Sequence, residues 1–323
     1  MATYKINDLI KHDEFAAYVQ QAMLDRSTLI KSGIAAIDPA IAEKCNAAGA
    51  GGDFVHLPFF KELDKGTSHE AAPLKNDGTD APVQTAETAE DIAVICTRVQ
   101  AFGAADLDAL LAGADPMLAL SNGLAGWWNK EHNRRLIATL NGALGAVSSL
   151  VLNLTTKEGA TAADKVVTAD ALLDAAQLLG DRKSELTAYA MSSATETHLQ
   201  KLEGSDLFKP SELPGNLKVY NGRLVIVDDN IADGTVYLFA PGAVAYNQCP
   251  YKASAPQFEP FREELKSQGG IVTRDRSIIH VRGIKWATTD TNPTNEVLGT
   301  AAKWARVYET KAIRVCKLVG TLG

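Results

Sequence analysis

The longest hydrophobic pattern in the chain lies at 114–142 and predicts one long helix. Large apolar residues recur there at steps of three to four, the period of one helix face. These residues are Met117, Leu120, Leu124, Trp127, Trp128, Leu136 and Leu140. Asp115 can cap the first turn, Pro116 suits the first helical position, and Glu131 and Arg135 are spaced for an ion pair. Such a helix would be about 40 Å long, which is more than a small globular domain needs.

The adjacent Trp127 and Trp128 would point about 100° apart on this helix, so at least one of them leaves the main apolar face. Two interpretations remain open. Either both rings belong to one core, or the helix is covered on more than one side, including by a neighbouring subunit.

Upstream of the helix, the pattern predicts an arm at 1–52 and then a hairpin. The arm contains an amphipathic helix at about 13–25, and its later small residues and glycines are expected to end any helix. The segment 54–60 is an edge strand interrupted by Pro58, and 91–102 is a second strand. Between them, the polar stretch 66–89 has only Leu74 and Val83 as large apolar residues. A ribbon of this kind has little core of its own, so something else must hold it.

Downstream of the helix, short helices and strands alternate, which predicts an α+β region around a small sheet. Three helices are expected: one capped by Thr168 and stopped at Gly180, one at 193–203, and a short glycine-ended helix in "FREELKSQGG". The expected strands lie at 186–192 and 223–227, with two more within 234–248, and a turn at Asn221–Gly222 precedes the strand 223–227. Long strands or hairpins are expected at 271–286 and 304–320.

Composition narrows the class of protein. The 323 residues are enough for roughly two domains, and 46% hydrophobic and 22% charged residues are ordinary for a globular chain. The net charge of −7 argues against a protein that grips nucleic acid by neutralising phosphates. The uncharged stretch 136–156 contains too many polar residues to predict a membrane span. The four dispersed cysteines predict reduced, mostly buried thiols; they are Cys45, Cys96, Cys249 and Cys316.

Candidate chemistry is sparse, and no enzyme, cofactor or metal site is expected. The six histidines lack metal-ligand spacing, and neither a nucleophile elbow nor a phosphate-binding loop is present. Asp228 and Asp229 end a strand, where a solvated turn is more common than a catalytic carboxylate. Four arginines near the C-terminus could bind an anion, but interspersed acidic residues favour ion pairs; they are Arg262, Arg274, Arg276 and Arg282.

The order of these parts, together with several local phrases, resembles one known family. The phrases are "SGI" (32–34), "GGDFVHLPFF" (51–60), "LAGADPM" (111–117), "YLFAPGAVAY" (237–246), "HVRGIKW" (280–286), "NPTNEVL" (292–298) and "KWARVYETK" (303–311). They are similar to phrases in major capsid proteins of tailed bacteriophages with the Hong Kong 97-type fold. The similarity covers nearly the whole chain and carries no catalytic signature.

The resemblance implies an α+β capsid fold in five parts. These are an N-terminal arm (1–52), an extended hairpin loop (53–102), the spine helix with the first part of a peripheral domain (103–164), an axial domain (165–254), and a return to the peripheral domain with C-terminal strands (255–323). The spine would be long because it crosses a thin, flat subunit, and the hairpin's missing partner would be the adjacent subunit. Interface residues implied for the loop and spine are Phe59, Leu74, Val83, Trp127, Trp128, Arg274 and Arg276.

The same resemblance implies the partners. Copies of the chain would form hexamers and pentamers of an icosahedral shell, assembled in the host cytoplasm and enclosing double-stranded DNA without sequence-specific binding. Because no long scaffolding segment precedes the arm, we expect a separate scaffolding protein or none, and no cleavage at this end. A portal and a decoration protein are further expected partners, and a membrane is not.

One family feature is not carried over. The family prototype cross-links a loop lysine to an asparagine of a neighbouring subunit. This sequence has lysines around the loop and asparagines near the C-terminus, but it indicates no nearby carboxylate that would catalyse the cross-link; these residues are Lys61, Lys65, Lys75, Asn292 and Asn295. Two other functions compete with the capsid interpretation. One is an encapsulin-type compartment of the same fold with an enzyme cargo, and the other is an enzyme with its site around Asp228 and the strands in 234–248.

Overall fold

The computed structural model describes residues 34–47, 53–61, 87–105, 116–156, 159, 161–203, 208–210, 218–249, 257–263 and 268–323. The predicted helix at 13–25, the Asp115 cap, and the loop residues Leu74 and Val83 lie outside these ranges. Among the described helices, none combines the length and the apolar character that a bilayer crossing requires.

The described elements are a mixture of helices and strands, as expected for an α+β chain. The helices are α1 (Pro39–Ala47), α2 (Pro116–Gly145), α3 (Ala169–Gln177), α4 (Ser193–Glu203) and α5 (Asn295–Leu298). The strands are β1 (Ala35–Ala36), β2 (Phe54–Phe60), β3 (Thr88–Val94), β4 (Cys96–Ala105), β5 (Val151–Asn153), β6 (Ala188–Met191), β7 (Phe208–Pro210), β8 (Lys218–Tyr220), β9 (Arg223–Val227), β10 (Thr235–Phe239), β11 (Val244–Gln248), β12 (Phe258–Glu263), β13 (Gln268–Val281), β14 (Ile284–Trp286), β15 (Trp304–Arg306) and β16 (Val315–Val319).

A seven-stranded sheet forms one centre of the molecule, with the order β5-β16-β10-β6-β9-β8-β7. Strand β10 is buried along its whole length, between β16 and β6, and α3 packs beside β16. A helix cap and a tight turn define the ends of these elements, as predicted. Thr168 caps α3 by accepting a hydrogen bond from the Ala171 N–H, and Asn221 and Gly222 adopt φ of 47° and 74° in the turn between β8 and β9. The sheet joins strands from three of the segments that the sequence analysis separated.

A second sheet is organised around the 14-residue strand β13. One edge of β13 pairs with β12 and then β11, and the other edge pairs with β4. Strand β1 extends this sheet as the parallel neighbour of β11. Helix α2, 30 residues long and beginning at Pro116 as predicted, packs against β13. Helix α2 and strand β13 are therefore the two longest elements of this region, and the other strands of the sheet are arranged around β13.

Three expectations about secondary structure are wrong. The stretch "FREELKSQGG" does not begin a helix, because 258–263 pairs with β13 and buries Phe258 in an extended conformation. The later part of the arm contains the helix α1, which Asp38 starts by accepting a hydrogen bond from the Ala40 N–H. The second hairpin strand is broken at Ile95, so β3 pairs with β2 whereas β4 pairs with β13.

The two strands within 234–248 are present, and Pro241–Gly242 separates them as predicted. They do not share one small sheet, however, because β10 lies in the seven-stranded sheet and β11 lies beside β13. The turn at Gly242, with φ of 69°, carries the chain from one sheet to the other. This short connection couples the two sheets directly.

The expectation of four reduced cysteines is also wrong. Cys45 of α1 and Cys249, just after β11, form a disulfide with their Cα atoms 5.4 Å apart, whereas Cys96 and Cys316 are buried free thiols. The fold creates this pair by laying α1 across the end of β11, although 204 residues separate the two positions.

Candidate functional site

The candidate site for a shell-forming protein is the surface where the hairpin and the long helix meet β13. Trp128 is buried to 1% exposure, and its indole N–H donates to the Thr273 hydroxyl of β13 at 3.2 Å. Trp127 is half-buried and packs edge-on against Phe102 of β4, with ring centroids 5.5 Å apart. The two tryptophans therefore cover different parts of the same sheet. Trp127 keeps a solvent-facing side.

A buried charged cluster fastens α2 to the middle of β13. His132 Nε2 lies 2.9 Å from Asp275 Oδ2, and Arg135 Nη1 lies 3.4 Å from the same oxygen. Arg135 also donates to the Ser277 hydroxyl at 2.7 Å, and Ser277 donates to Asp275 at 2.8 Å. Arg135 is completely buried, and its predicted ion pair with Glu131 is present at 3.9 Å. A helix held by buried polar contacts to one strand has a single register on that strand.

The ionisation of Asp275 depends on these partners. Burial by itself would raise the pKa of this carboxyl group. The charges of His132 and Arg135, together with hydrogen bonds from His132 and Ser277, outweigh burial and hold the pKa of Asp275 below its ordinary value. The cluster is therefore a structural ion pair whose carboxylate stays charged in the fold, and its members face protein on all sides.

A second buried acid fastens the hairpin. Asp91 of β3 is 1% exposed, and its Oδ1 lies 3.1 Å from His280 Nε2 on β13. Its other oxygen accepts a hydrogen bond from the Gly283 N–H at 3.0 Å. Burial raises the pKa of Asp91, but the His280 charge and hydrogen bonds from His280 and the Gly283 and Ile92 backbones lower it overall.

The base of the hairpin also has its own small core, which we call the hairpin-base core. It joins residues of α1, β2, β3, β11, β13 and their borders, and consists of Ile41, Cys45, Val55, Ala93, Ile95, Ala245, Cys249 and Ile278. The expectation that the ribbon lacks a partner within its own subunit is therefore wrong for 54–61 and 87–95. Along β2 the inward-facing residues are Val55, which is buried, and Leu57 and Phe59, which are half-buried, and they alternate with exposed residues.

The last two residues of β2 lie in different environments. Phe59 points inward and packs edge-on against Tyr308, with ring centroids 4.6 Å apart. Phe60 points to the other face and is 76% exposed. Val99 on β4 and Ile37 before α1 are further large apolar side chains in solvent, with exposures of 57% and 70%. Burying apolar side chains of this kind against a neighbour would contribute favourable free energy to a subunit contact. Because successive residues of a strand point to opposite faces, the assignment of 54–60 as a strand already implies that Phe59 and Phe60 lie on different faces.

The interface residues proposed from the resemblance occupy different positions. Trp128 is covered by its own subunit and offers no surface to a neighbour, whereas Trp127 remains half-buried. Arg274 is paired with Glu259 of the adjacent strand at 2.8 Å, and Arg276 lies half-buried further along β13. Arg282 pairs with Asp38 at 2.9 Å. Arg274 and Arg282 are therefore ion-paired, as expected, although these partners are not the acidic residues interspersed with the arginines in sequence.

The carboxylates considered for catalysis serve the fold. Asp228 accepts hydrogen bonds from the backbone N–H and the side-chain amide of Asn230, at 2.9 and 2.7 Å, which is the expected turn after a strand. Asp229 accepts from the Ser193 N–H at the start of α4, and hydrogen bonds from the Ser193 side chain and backbone lower the pKa of Asp229. Within the described residues, no group of three or more His, Cys, Asp or Glu side chains is arranged to hold a metal ion.

A cavity of about 230 Å³ lies where the two sheets meet. Three arginines line it, and two carboxylates pair with them: Arg182 and Arg314 share Glu185 at 3.8 and 3.5 Å, and Arg282 pairs with Asp38 at 2.9 Å. These ion pairs leave one positive charge in excess among the five groups, and each arginine already has a carboxylate partner within the chain.

Comparison with known proteins gives a consistent result. The family described as Gp13-like, major capsid protein 13-like, matches residues 15–313. The major capsid protein of Bacillus phage SPP1 is 33% identical over 327 residues, covering 98% of this chain and 97% of the relative. The fold is similar to that of the Ralstonia phage GP4 capsid, with TM-score 0.56, 9% identity and 84% of each chain covered. The cyanophage Pam1 capsid gives TM-score 0.53 at 13% identity, covering 84% of this chain and 86% of that chain. The chain therefore belongs to the Gp13-like family of major capsid proteins and is a major capsid protein of a tailed phage.

Proposed function

We propose that copies of this subunit associate as hexamers and pentamers into a closed icosahedral shell of the Hong Kong 97 type. The observation that carries the proposal is the end of β2, where the strand leaves the subunit's core. Phe59 still packs on Tyr308, but Phe60 is 76% exposed and precedes the polar loop residues. A second surface that buried this ring would remove apolar area from water and would support a two-stranded ribbon, which is marginally stable by itself. The adjacent subunit supplies that surface.

In this arrangement the five parts expected from the sequence keep their capsid roles. Helix α2 is the spine, and β2 with β3 is the base of the extended loop. The seven-stranded sheet with α3 and α4 corresponds to the axial domain, and the sheet around β13 belongs to the peripheral domain. Arg276 and Trp127, both half-buried, remain candidates for contact with a neighbour, together with Leu74 and Val83 of the loop.

We further infer that the role is structural, not enzymatic. The net charge of −7 suits a shell that encloses double-stranded DNA without holding it by sequence-specific contacts. A separate scaffolding protein, a portal and a decoration protein are the expected partners, with assembly in the host cytoplasm and the final location in the virion. The named relatives are phage capsid proteins, and this supports a genome container over a compartment with enzyme cargo.

Two adjacent substitutions test the proposal because they lie on opposite faces of one strand. Phe60→Ser removes the exposed ring, and we expect the subunit to melt normally but to form few closed particles. Burying such a ring contributes about 1.5–3 kcal/mol in each copy, and the loss is repeated around the shell. Phe59→Ser removes the ring that packs on Tyr308, and we expect it to lower the melting temperature of the unassembled subunit.

The measurements are circular dichroism melting of unassembled subunits and negative-stain electron microscopy of assembled material. Normal shells from Phe60→Ser would contradict the proposed role of this face. A purified wild-type chain that stays monomeric at all concentrations, with or without co-expressed phage assembly proteins, would contradict the shell function itself.

A further inference from the structure

The disulfide between Cys45 and Cys249 joins the end of the N-terminal arm to the sheet around β13. Cys45 lies on α1 and is fully buried, and Cys249 follows β11 and is 3% exposed. Both belong to the hairpin-base core, which also contains inward-facing residues of β2 and β3. The bond therefore lies where the arm, the hairpin and the sheet meet.

Apart from this bond, α1 is held by few contacts. The helix has nine residues, too short to be stable by itself in water. Ile41 is its other residue in the hairpin-base core. Polar contacts fasten its two ends: the Asp38 carboxylate pairs with Arg282 at 2.9 Å, and Lys44 donates to the His56 carbonyl. Breaking a small set of contacts of this kind would detach α1 while the main core remains folded.

The remaining cysteines provide an internal comparison. Cys96 and Cys316 are buried free thiols within the larger core. Burial raises the pKa of both, that of Cys316 to about 12, so these thiols are poor nucleophiles. They are attached to strands β4 and β16, which pair along their whole length, and not to a short helix at the margin.

We propose that the Cys45–Cys249 pair is a redox-dependent covalent link that fixes the arm to the finished subunit. The reducing cytoplasm keeps both side chains as thiols during folding and assembly, and the bond forms after release into an oxidising medium. The order of these two states rests on the proposed shell function, because assembly in the host and release from it define the two environments.

The chemistry requires a small disulfide as the oxidant, such as oxidised glutathione. While α1 is detached, the Cys45 thiolate attacks the small disulfide and forms a mixed disulfide, releasing one glutathione thiolate. When α1 docks again, the Cys249 thiolate attacks the Cys45 sulfur of the mixed disulfide and releases the second glutathione. The two protein thiols are oxidised by two electrons in total, and one glutathione disulfide is reduced to two thiols.

The first test counts thiols in the full-length chain. Cells are quenched with N-ethylmaleimide before lysis and alkylated again under denaturing conditions, and purified particles are treated with oxidised glutathione and then alkylated under the same denaturing conditions. Mass spectrometry should find four alkylated cysteines in the quenched cells and two, Cys96 and Cys316, in the oxidised particles. A linked peptide containing Cys45 and Cys249 should appear only in the oxidised sample. Four free thiols after oxidation, a linkage that includes Cys96 or Cys316, or a linked pair already present in the cells would overturn the proposal.

The second test measures what the bond does. Oxidised wild-type subunits should melt about 4–10 °C above reduced ones and should resist proteolysis within 39–47. Cys45→Ser and Cys249→Ser should lose this difference yet match the reduced wild type, whereas Cys316→Ala should retain it. An unchanged melting temperature and equal cleavage of α1 in both redox states would refute a fastening role. Both tests also apply to unassembled subunits, so a failure to form shells would count against the proposed function and not against the bond.

Discussion

Substituting Gly142 by alanine tests how closely α2 approaches the C-terminal segment. A methyl group built at this position lies 2.0 Å from the Leu298 carbonyl oxygen and 2.6 Å from the Trp304 indole nitrogen. Those two atoms are hydrogen-bonded to each other at 2.8 Å, and both Leu298 and Trp304 are buried. The methyl group would therefore displace one partner and leave a buried polar atom unpaired.

The expected magnitude combines three effects. Overpacking a well-filled core costs about 1–3 kcal/mol. An unpaired buried donor or acceptor costs about 1–3 kcal/mol more. Alanine is the better helix former by about 1 kcal/mol, and this offsets part of the cost. We expect Gly142→Ala to lower the free energy of unfolding by about 2–4 kcal/mol.

A matched control comes from the same helix. Gly126 has nothing within 4 Å of a built methyl group, so Gly126→Ala should raise stability by up to about 1 kcal/mol. The assay is urea unfolding of unassembled subunits, followed by circular dichroism at 222 nm so that a disturbed Trp304 does not affect the readout. If Gly142→Ala were as stable as Gly126→Ala, the close approach of α2 to 298–304 would be refuted.

Two further predictions concern the hairpin and the buried acids. Replacing 66–86 by a short Gly-Asn turn should leave circular dichroism and melting nearly normal and abolish closed particles in the electron microscope; a chain that no longer folds would show that the loop supports the subunit itself. The lowered pKa of Asp275 means that its contribution to stability is fully present above its ordinary value of 3.8 and is lost as pH falls through the lower folded value. The free energy of unfolding should therefore decrease at pH values below about 4. Asp275→Asn should make this decrease smaller and should lower stability at neutral pH. An identical acid dependence in the variant would refute the role assigned to Asp275.

Several features of the fold could be predicted from sequence because neighbouring residues determine them. Helix α2 begins at Pro116 and carries the Glu131–Arg135 pair, both of which follow from residues at most four positions apart. The Thr168 cap and the Asn221–Gly222 turn are equally local. The resemblance to capsid proteins also came from the sequence, because its phrases are spread along nearly the whole chain.

The candidate surface was predicted less well, because pairing and burial decide it. The phenylalanine pair in β2 was recognised as apolar, but the pleat and the position of Tyr308 determine that Phe59 is covered and Phe60 is exposed. Trp127 and Trp128 were correctly expected to diverge. Which of them faces β13 depends on a hydrogen bond to Thr273, a residue 145 positions away.

The sequence by itself determined the local elements, the ordinary composition of a folded chain and the family, because these depend on residue type and short spacing. The tertiary structure decided that "FREELKSQGG" begins as a strand, that β10 and β11 enter different sheets, and that the hairpin has a core within its own subunit. It also paired Cys45 with Cys249 and His132 with Asp275, across 204 and 143 residues. Each of these outcomes depends on which distant strand supplies the hydrogen bonds and the buried surface. Patterns of neighbouring residues do not specify that strand, so they could not predict these outcomes.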